Sequence, residues 1–449
     1  MQVARSIFRE YDLRGIAGQD LTSKVAEHIG RAVSTYLIRQ GRKRIALGRD
    51  CRLSSGMLRD GLAAGLVAGG LEVHDIGICP TPLLYYAIQH LRLDGGVMIT
   101  GSHNPPDYNG FKVAAGDQTI HGEQIQELRR ILESGNLAEG RGRIVLREVQ
   151  AEYISELATK FSLTKKLKVV VDCGNGTGSL TNPALLERLG CQVTRLYCEM
   201  DGNFPNHHPD PTIPENLQAL IRTVHETSAD MGVAYDGDAD RIGVVDDAGG
   251  ILWGDQLLIL YSREILRHHP GATIIGEVKC SKNLFTDIRR HGGNAIMWKA
   301  GHSLIKAKMK QVHAAVAGEM SGHMFFADEY YGFDDALYAT CRLLRILDST
   351  NVPLSKLLED LPRTYSTPEL RVDCPDSRKF EVVEKAKAYF SSRYNTVTVD
   401  GVRVEFEDGW GLVRASNTQP VLVLRFEADS EARLGEIRHL VETTLRQWT

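Results

Sequence analysis

Neither sign of charge dominates this chain. Its 53 lysines and arginines face 57 aspartates and glutamates, for a net charge of −4, which leaves no global drive toward nucleic acid or an anionic membrane. Any anion must be held by a local cluster. A Cys-x-x-Cys pair is also missing: eight cysteines are scattered at positions 51, 79, 173, 191, 198, 280, 341 and 374, which fits reduced, mostly buried thiols and argues against a disulfide framework or a zinc site. There is no long hydrophobic run. The longest apolar stretch, 61–71, is about half a membrane span and rich in Ala and Gly, so it reads as a tightly packed helix. Charge at Arg5, Arg9 and Glu10 breaks the first residues before a signal-peptide core can form, so the expectation is no export and a cytoplasmic location.

What remains is a globular composition, 43% hydrophobic and 24% charged, with 449 residues too long for one core. Segments 44–50, 167–174 and 272–279 share one plan, a short apolar strand, a polar loop and a helix-like stretch. Their wide spacing suggests three α/β units of similar construction rather than a solenoid. A second strand–helix pair at 71–76 and 82–90 leads into the apolar run 96–99, and this βαβ spacing predicts mixed or mostly parallel sheets. Boundaries are suggested by the linker at 135–142, by Asp247-Ala248-Gly249-Gly250 and by the stretch bracketed by Pro353 and Pro368. Beyond the last lie a strand at 369–372, a helix at 380–394, alternating segments at 396–399, 402–406, 411–415 and 421–427, and a final helix after Glu431. Strands joined by short turns predict an antiparallel sheet with helices. The expected fold is therefore three related α/β domains with mixed sheets, 1–147, 148–250 and 251–362, followed by an α+β domain, 363–449.

Chemistry-bearing residues gather in a few loops. The run Gly96-Val97-Met98-Ile99 reads as a buried strand, and Asn104, Pro105, Pro106, Asp107 and Gly110 stop it, which leaves Ser102 on a strand-end loop where α/β sheets bind ligands. Gly-Ser-His-Asn-Pro is equally good turn chemistry. In Ala234-Tyr235-Asp236-Gly237-Asp238-Ala239-Asp240-Arg241, alternate carboxylates between two strands can turn toward one point and hold a hard cation such as Mg²⁺ or Ca²⁺. An EF-hand is set aside because its sixth and twelfth positions here are Arg241 and Asp247; an acidic surface turn is the plainer alternative. Ala317-Gly318-Glu319-Met320-Ser321-Gly322-His323 offers groups for sugar hydroxyls. Arg414-Ala415-Ser416-Asn417-Thr418-Gln419-Pro420 carries the inventory of a phosphate grip and also that of an ordinary hairpin. His302 opens a helix, as a ligand contact or as a capping or core residue, and Lys279 sits at a strand end where a solvated lysine is also common.

In combination, these loops resemble a known family. Phe8-Arg9-Glu10-Tyr11-Asp12-Leu13-Arg14-Gly15, the Ser102 loop, Asp201-Gly202-Asn203-Phe204-Pro205-Asn206-His207-His208-Pro209, the 236–241 loop, Gly301-His302-Ser303, the 318–323 loop and the 414–420 loop follow the order of the α-D-phosphohexomutases, most closely the phosphomannomutase/phosphoglucomutase branch. The resemblance runs nearly end to end. It implies a heart-shaped enzyme whose fourth domain is TATA-binding-protein-like, with a central cleft as the active site. It also implies roles: Ser102 is phosphorylated in the active enzyme, and Mg²⁺ is held by Asp236, Asp238, Asp240 and a phosphoserine oxygen. Arg14, His103, Lys112 and Arg241 would surround the transferring phosphoryl group, while Tyr11, Lys279 and His302 would contact the sugar phosphate. Glu319 and Ser321 would read sugar hydroxyls with His323 in the same loop, and Arg414, Ser416, Asn417 and Thr418 would clamp phosphate. Ala239 stands where many relatives have Gly.

The implied substrates are mannose or glucose phosphates, with hexose 1,6-bisphosphate as intermediate and activator, and a monomer or weak homodimer as the working unit. A phosphoglucosamine mutase shares the mechanism but usually differs at Met320 and in the serine loop. A sugar-phosphate phosphatase uses the same groups and releases free phosphate. The group that takes the hydroxyl proton stays open.

Overall fold

In the computed structural model, which describes residues 3–416 and 420–448, four sheets follow one another along the chain. The first has its main strands in the order Leu13–Ile16, Tyr108–Ala115, Gly95–Ile99, Arg44–Arg49, Glu72–Ile78 and Arg143–Leu146. Pairing is antiparallel on the Leu13 side of Gly95–Ile99 and parallel on the other, so the sheet is mixed. Every residue of Gly95–Ile99 is buried, because both sheet faces are covered, and this is why the strand reads as a continuous apolar run. The helix expected from the Ala- and Gly-rich stretch is Ser55–Ala68, packed on Ser23–Ile38. A Cβ on Gly61 or Gly65 would lie 2.2 or 2.0 Å from the carbonyl oxygens of Ser23 and Glu27. Small side chains therefore let the two helix backbones touch.

The second sheet runs Ile251–Leu252, Ile242–Asp246, Met231–Tyr235, Lys168–Asp172 and Gln192–Leu196. Residues 247–250, expected at a boundary, form the tight turn between Ile242–Asp246 and the edge strand Ile251–Leu252, where Asp246 Oδ1 accepts from the N–H groups of Ala248 and Gly250 at 2.9 and 2.8 Å. Turn chemistry is the same for a hairpin and for a linker, and the short strand Ile251–Leu252 that follows the turn pairs back on Val244 and Val245. The third sheet is Asn294–Trp298, Thr273–Glu277, Val316–Gly318 and Met324–Phe326. The fourth is antiparallel, built on Val402–Phe406, Gly409–Ala415 and Val421–Ala428, with helices Lys379–Ser391 and Glu431–Leu445 against it. Among the described residues no helix is long and apolar enough to cross a membrane.

The first three domains share apolar packing. One cluster joins Tyr85 and Tyr86 of the first, Tyr153 and Tyr235 of the second, and Phe326 and Tyr338 of the third. The fourth domain has a core of its own around Phe390, Val404 and Phe426, and meets the third through Trp410 and Leu412 against Val278. Arg403 lies 3.7 Å from the Trp410 ring centroid and donates to the carbonyls of Val278 and Cys280 at 2.8 and 2.6 Å.

One seam carries a titratable group. Asp335 caps the helix Ala336–Asp348 by accepting from Tyr338 N–H at 2.9 Å, and it also accepts from the hydroxyls of Tyr153 and Tyr330. Burial pushes its carboxyl up to about 6. A raised folded-state pKa means that stability is highest below the unfolded value near 4 and falls as pH rises toward 6, by about 3 kcal/mol for a shift of this size. Thermal midpoints of wild type and Asp335→Asn at pH 4 and pH 7 test this. The variant should lose less on going to pH 7, and equal losses refute the assignment.

Candidate active site

Ser102 sits just past the strand Gly95–Ile99, buried, in a left-handed conformation with φ 49°. Its Oγ donates to Asp236 Oδ2 at 2.8 Å, and His103 Nδ1 lies 3.1 Å from the same oxygen. A hydroxyl has one proton, so the contact from His103 must be an N–H donated to Oγ. Burial first, then Arg241 and Arg14, hold His103 well below the usual histidine range, so the ring is neutral. Arg14, from the strand Leu13–Ile16, donates to Gly101 O at 2.5 Å and pairs with Asp12.

A buried arginine organises this loop. Arg52 gives its guanidinium N–H groups to the carbonyls of Ser102, Asn104, Pro105 and Tyr108, with its Nε on Asp50 Oδ2 at 3.1 Å. Asp50 Oδ2 also accepts from Gly101 N–H at 2.9 Å. A Cβ at Gly101 would lie 2.3 Å from the Arg52 guanidinium carbon, so only glycine lets the arginine under the loop. Neither Asp50 nor Arg52 is among the expected site residues. The signal was present: they follow the strand Arg44–Arg49 at the carboxyl edge of the same sheet, by the rule that singles out Ser102.

The acidic loop joins Met231–Tyr235 to Ile242–Asp246, and a Cβ on its Gly237 would lie 2.6 Å from Ser102 O. The two loops therefore touch backbone to backbone. Ala239 adopts φ 56°, a left-handed conformation that glycine takes without strain. Asp236, Asp238 and Asp240 are fully buried, with one carboxylate oxygen from each within 4.8 Å of the others. Lys112 Nζ bonds Asp238 Oδ2 at 2.8 Å and Asp240 Oδ2 at 2.5 Å, and the Thr81 hydroxyl donates to Asp238 Oδ2. Burial lowers the Lys112 pKa, but the two aspartates outweigh it and hold the ammonium well above its ordinary value. Burial, then the neighbouring Asp238 and Asp240 charges, push Asp236 well up. Asp238 Oδ1 and Asp240 Oδ1 are buried with no hydrogen-bond partner among the described residues. Orphaned hard oxygens and an excess of negative charge over the one lysine fit a divalent cation.

The third domain closes over this pair of loops. Arg241 Nε donates to His323 Nε2 at 2.9 Å, and Ile242 N–H reaches Gly322 O at 3.1 Å. His323 Nδ1 lies 3.2 Å from Asp334 Oδ2, whose other oxygen takes the Lys306 ammonium at 2.9 Å. His302, first residue of the helix His302–Val312, has Nδ1 3.7 Å from Asp334 and stacks on His323. Burial and Lys306 keep His302 well below the usual range. Tyr11 donates to Ala300 O at 2.9 Å, and Gly301 N–H donates to Glu319 Oε1 at 2.7 Å. Ser321 is half-buried in the same loop.

Across the seam to the fourth domain, Lys279 Nζ bonds Glu369 at 3.1 Å and pulls that carboxyl down to about 2. Arg414 Nε donates to Asp400 Oδ2 at 3.0 Å, and the same oxygen accepts from Ala300 N–H at 3.2 Å. Ser416 N–H bonds Val421 O at 3.0 Å across the hairpin. Asn417 and Thr418 lie outside the described residues.

Four family models match this chain in order: phosphoglucomutase/phosphomannomutase alpha/beta/alpha domain I at 5–139, domain II at 151–250, domain III at 253–365 and the C-terminal domain at 369–443. The chain belongs to this family. It is thereby a mutase-type isomerase. A phosphomannomutase/phosphoglucomutase of Pseudomonas putida is 50% identical over 98% of this chain and 95% of the relative. A phosphoglucomutase of Neisseria gonorrhoeae is 47% identical over 97% of this chain and 96% of its own length. A crystal structure of a Burkholderia thailandensis member of the phosphoglucomutase/phosphomannomutase family superposes with TM-score 0.94 at 43% identity, covering 99% of this chain and 98% of that one. Within the phosphoglucomutase/phosphomannomutase frame, Thr81, Lys306 and Asp334 carry no motif of their own, because each bonds a partner on another element.

Proposed function

We propose that this chain interconverts hexose 1-phosphates and hexose 6-phosphates of mannose and glucose, with Ser102 as the phosphoryl carrier and hexose 1,6-bisphosphate as intermediate. The observation that carries the reading is the 2.8 Å contact of Ser102 Oγ with Asp236, which sets a buried hydroxyl of the first domain on the acidic loop of the second. In the first step a free sugar hydroxyl attacks the phosphorus of phospho-Ser102 and the bond to Oγ breaks. The bisphosphate then turns end for end, Oγ attacks its other phosphorus, and the bond from that phosphorus to the sugar oxygen breaks, leaving a sugar hydroxyl and regenerating phospho-Ser102. A serine ester and a sugar ester are close in free energy, so both transfers are reversible. Asp236, Asp238 and Asp240 would hold Mg²⁺, which supplies charge neutralisation for the loose, anionic transition state when bound.

The chain's own groups complete the electrostatics. Lys112, Arg14 and Arg241 present fixed positive charge around Ser102, and the His103 N–H stabilises Oγ as it leaves phosphorus. Glu319 and Ser321, with His323 beside them, would grip hydroxyls at O3 and O4, which are alike in glucose and mannose, and dual specificity follows. Lys279, His302 and Tyr11 would contact the sugar phosphate, and Arg414 and Ser416, with Asn417 and Thr418, would accept the phosphate remote from the reaction in either orientation. The work divides over 1–147 for the serine, 148–250 for the cation, 251–362 for the sugar and 363–449 for the distal phosphate.

The test is one assay, glucose 1-phosphate or mannose 1-phosphate with Mg²⁺ and trace glucose 1,6-bisphosphate. Both 6-phosphates should form, EDTA should abolish turnover, and added Mg²⁺ should restore it. Inorganic phosphate without isomer, or full activity in EDTA, defeats the reading.

A further inference from the structure

Two sulfur atoms meet beneath the acidic loop. Cys173 follows the strand Lys168–Asp172, Cys198 follows the parallel neighbour Gln192–Leu196, and their Sγ atoms lie 3.4 Å apart. Cys173 is buried, Cys198 half-buried, and both are free thiols. We propose that Cys173 and Cys198 are a modification site that a hydroperoxide converts to a reversible disulfide, and that this bond acts on the adjacent acidic loop.

The chemistry balances with the peroxide as two-electron oxidant. Cys198 sulfur, as thiolate, attacks the distal oxygen of the hydroperoxide, the O–O bond breaks, and the alkoxide or hydroxide leaves with a proton. This yields a sulfenic acid. Cys173 sulfur then attacks the Cys198 sulfur, the S–O bond breaks, and the hydroxide departs as water with the Cys173 proton. Position assigns the order, since Cys198 is the more exposed thiol. The contact between the sulfurs supports it: the hydrogen bond with Cys173 draws the Cys198 thiol down, while burial holds Cys173 well up. Closing the bond requires an approach of about 1.4 Å, from 3.4 Å to the roughly 2.05 Å of a disulfide.

That movement has a short route to the acidic loop. Cys173 opens a tight turn in which Gly174 and Asn175 have φ 51° and 57°, and Tyr197, before Cys198, has φ 48°. Gly176 N–H returns to Cys173 O at 2.7 Å. The next residue, Thr177, donates its N–H and its hydroxyl to Gly237 O at 3.0 and 3.2 Å. A Cβ on Gly176 would lie 2.6 Å from that same oxygen. Gly237 separates Asp236 from Asp238, so a shift of the Cys173 turn is passed by packed backbone to two of the three carboxylates. The coupling rests on the cation reading of that loop; the disulfide itself does not.

The experiment treats the full-length protein with hydrogen peroxide, alkylates it and maps tryptic peptides. Cys173 and Cys198 fall in different peptides, which should appear joined with the loss of two hydrogens and separate again with dithiothreitol. Oxidised protein should bind Mg²⁺ about 5- to 100-fold more weakly, lose activity at limiting Mg²⁺ accordingly, and show a smaller Mg²⁺-induced rise in thermal midpoint. Cys198→Ser and Cys198→Ala should keep basal activity and resist the peroxide. Alkylation of Cys173 after oxidation, with Cys198 carried on to sulfinic acid, overturns the site. The same loss of activity in the Cys198 variants, or a cross-link that leaves rate and Mg²⁺ response unchanged, overturns the coupling.

Discussion

Replacing Ser102 by alanine should lower kcat on the order of 10⁴-fold or more, the scale reached when a covalent nucleophile is removed. Stability should change little. The hydroxyl makes its contacts to Asp236 and His103 inside a loop that Arg52 holds by its carbonyls, and those main-chain bonds survive the substitution. Backbone strain is controlled for by Ser102→Gly, because φ 49° is a conformation glycine adopts freely. If strain rather than Oγ mattered, the glycine variant would recover activity. Both variants should also fail to take up labelled phosphate from hexose 1,6-bisphosphate. Near wild-type turnover in either one removes Ser102 from the reaction, whatever the fate of the label.

How much of this was legible beforehand follows from the range of the interactions. The Ser102 loop announces itself because a buried strand must stop at Asn104 and the prolines, and those residues are consecutive. The carboxylates at 236, 238 and 240 are equally local. The four-domain order was readable from strand spacing, since each sheet is built from neighbouring segments. What escaped is non-local or conformational. Arg52 donates to carbonyls at 102–108, and Lys306 neutralises Asp334 from another element. The left-handed φ of Ser102 and Ala239 leaves no compositional trace, as neither residue prefers that region. Asp334 shows the same limit: between Phe333 and Asp335 it looks like a surface acid, yet it is fully buried beside His323, His302 and Lys306.

Arg52 carries the other large expectation. Arg52→Met should destabilise the protein by about 3–5 kcal/mol, because Asp50 would be left buried without its charged partner, and several loop carbonyls would lose their donors. The catalytic loss should exceed what stability explains. Ser102 and Asp236 are matched to within a hydrogen bond, and misplacing a reacting group by about 1 Å costs on the order of 10² in rate. Arg52→Lys separates charge from geometry. A lysine restores the positive charge beside Asp50 but lacks the planar fork that spans four carbonyls at once, so it should recover part of the thermal midpoint and little of kcat. The substrate KM should move less than kcat in both variants, because apart from Tyr11 the residues assigned to sugar and distal phosphate lie in other domains. A lysine variant with wild-type kcat, or a methionine variant whose loss is entirely in KM, shows that Arg52 only fills space beneath the loop.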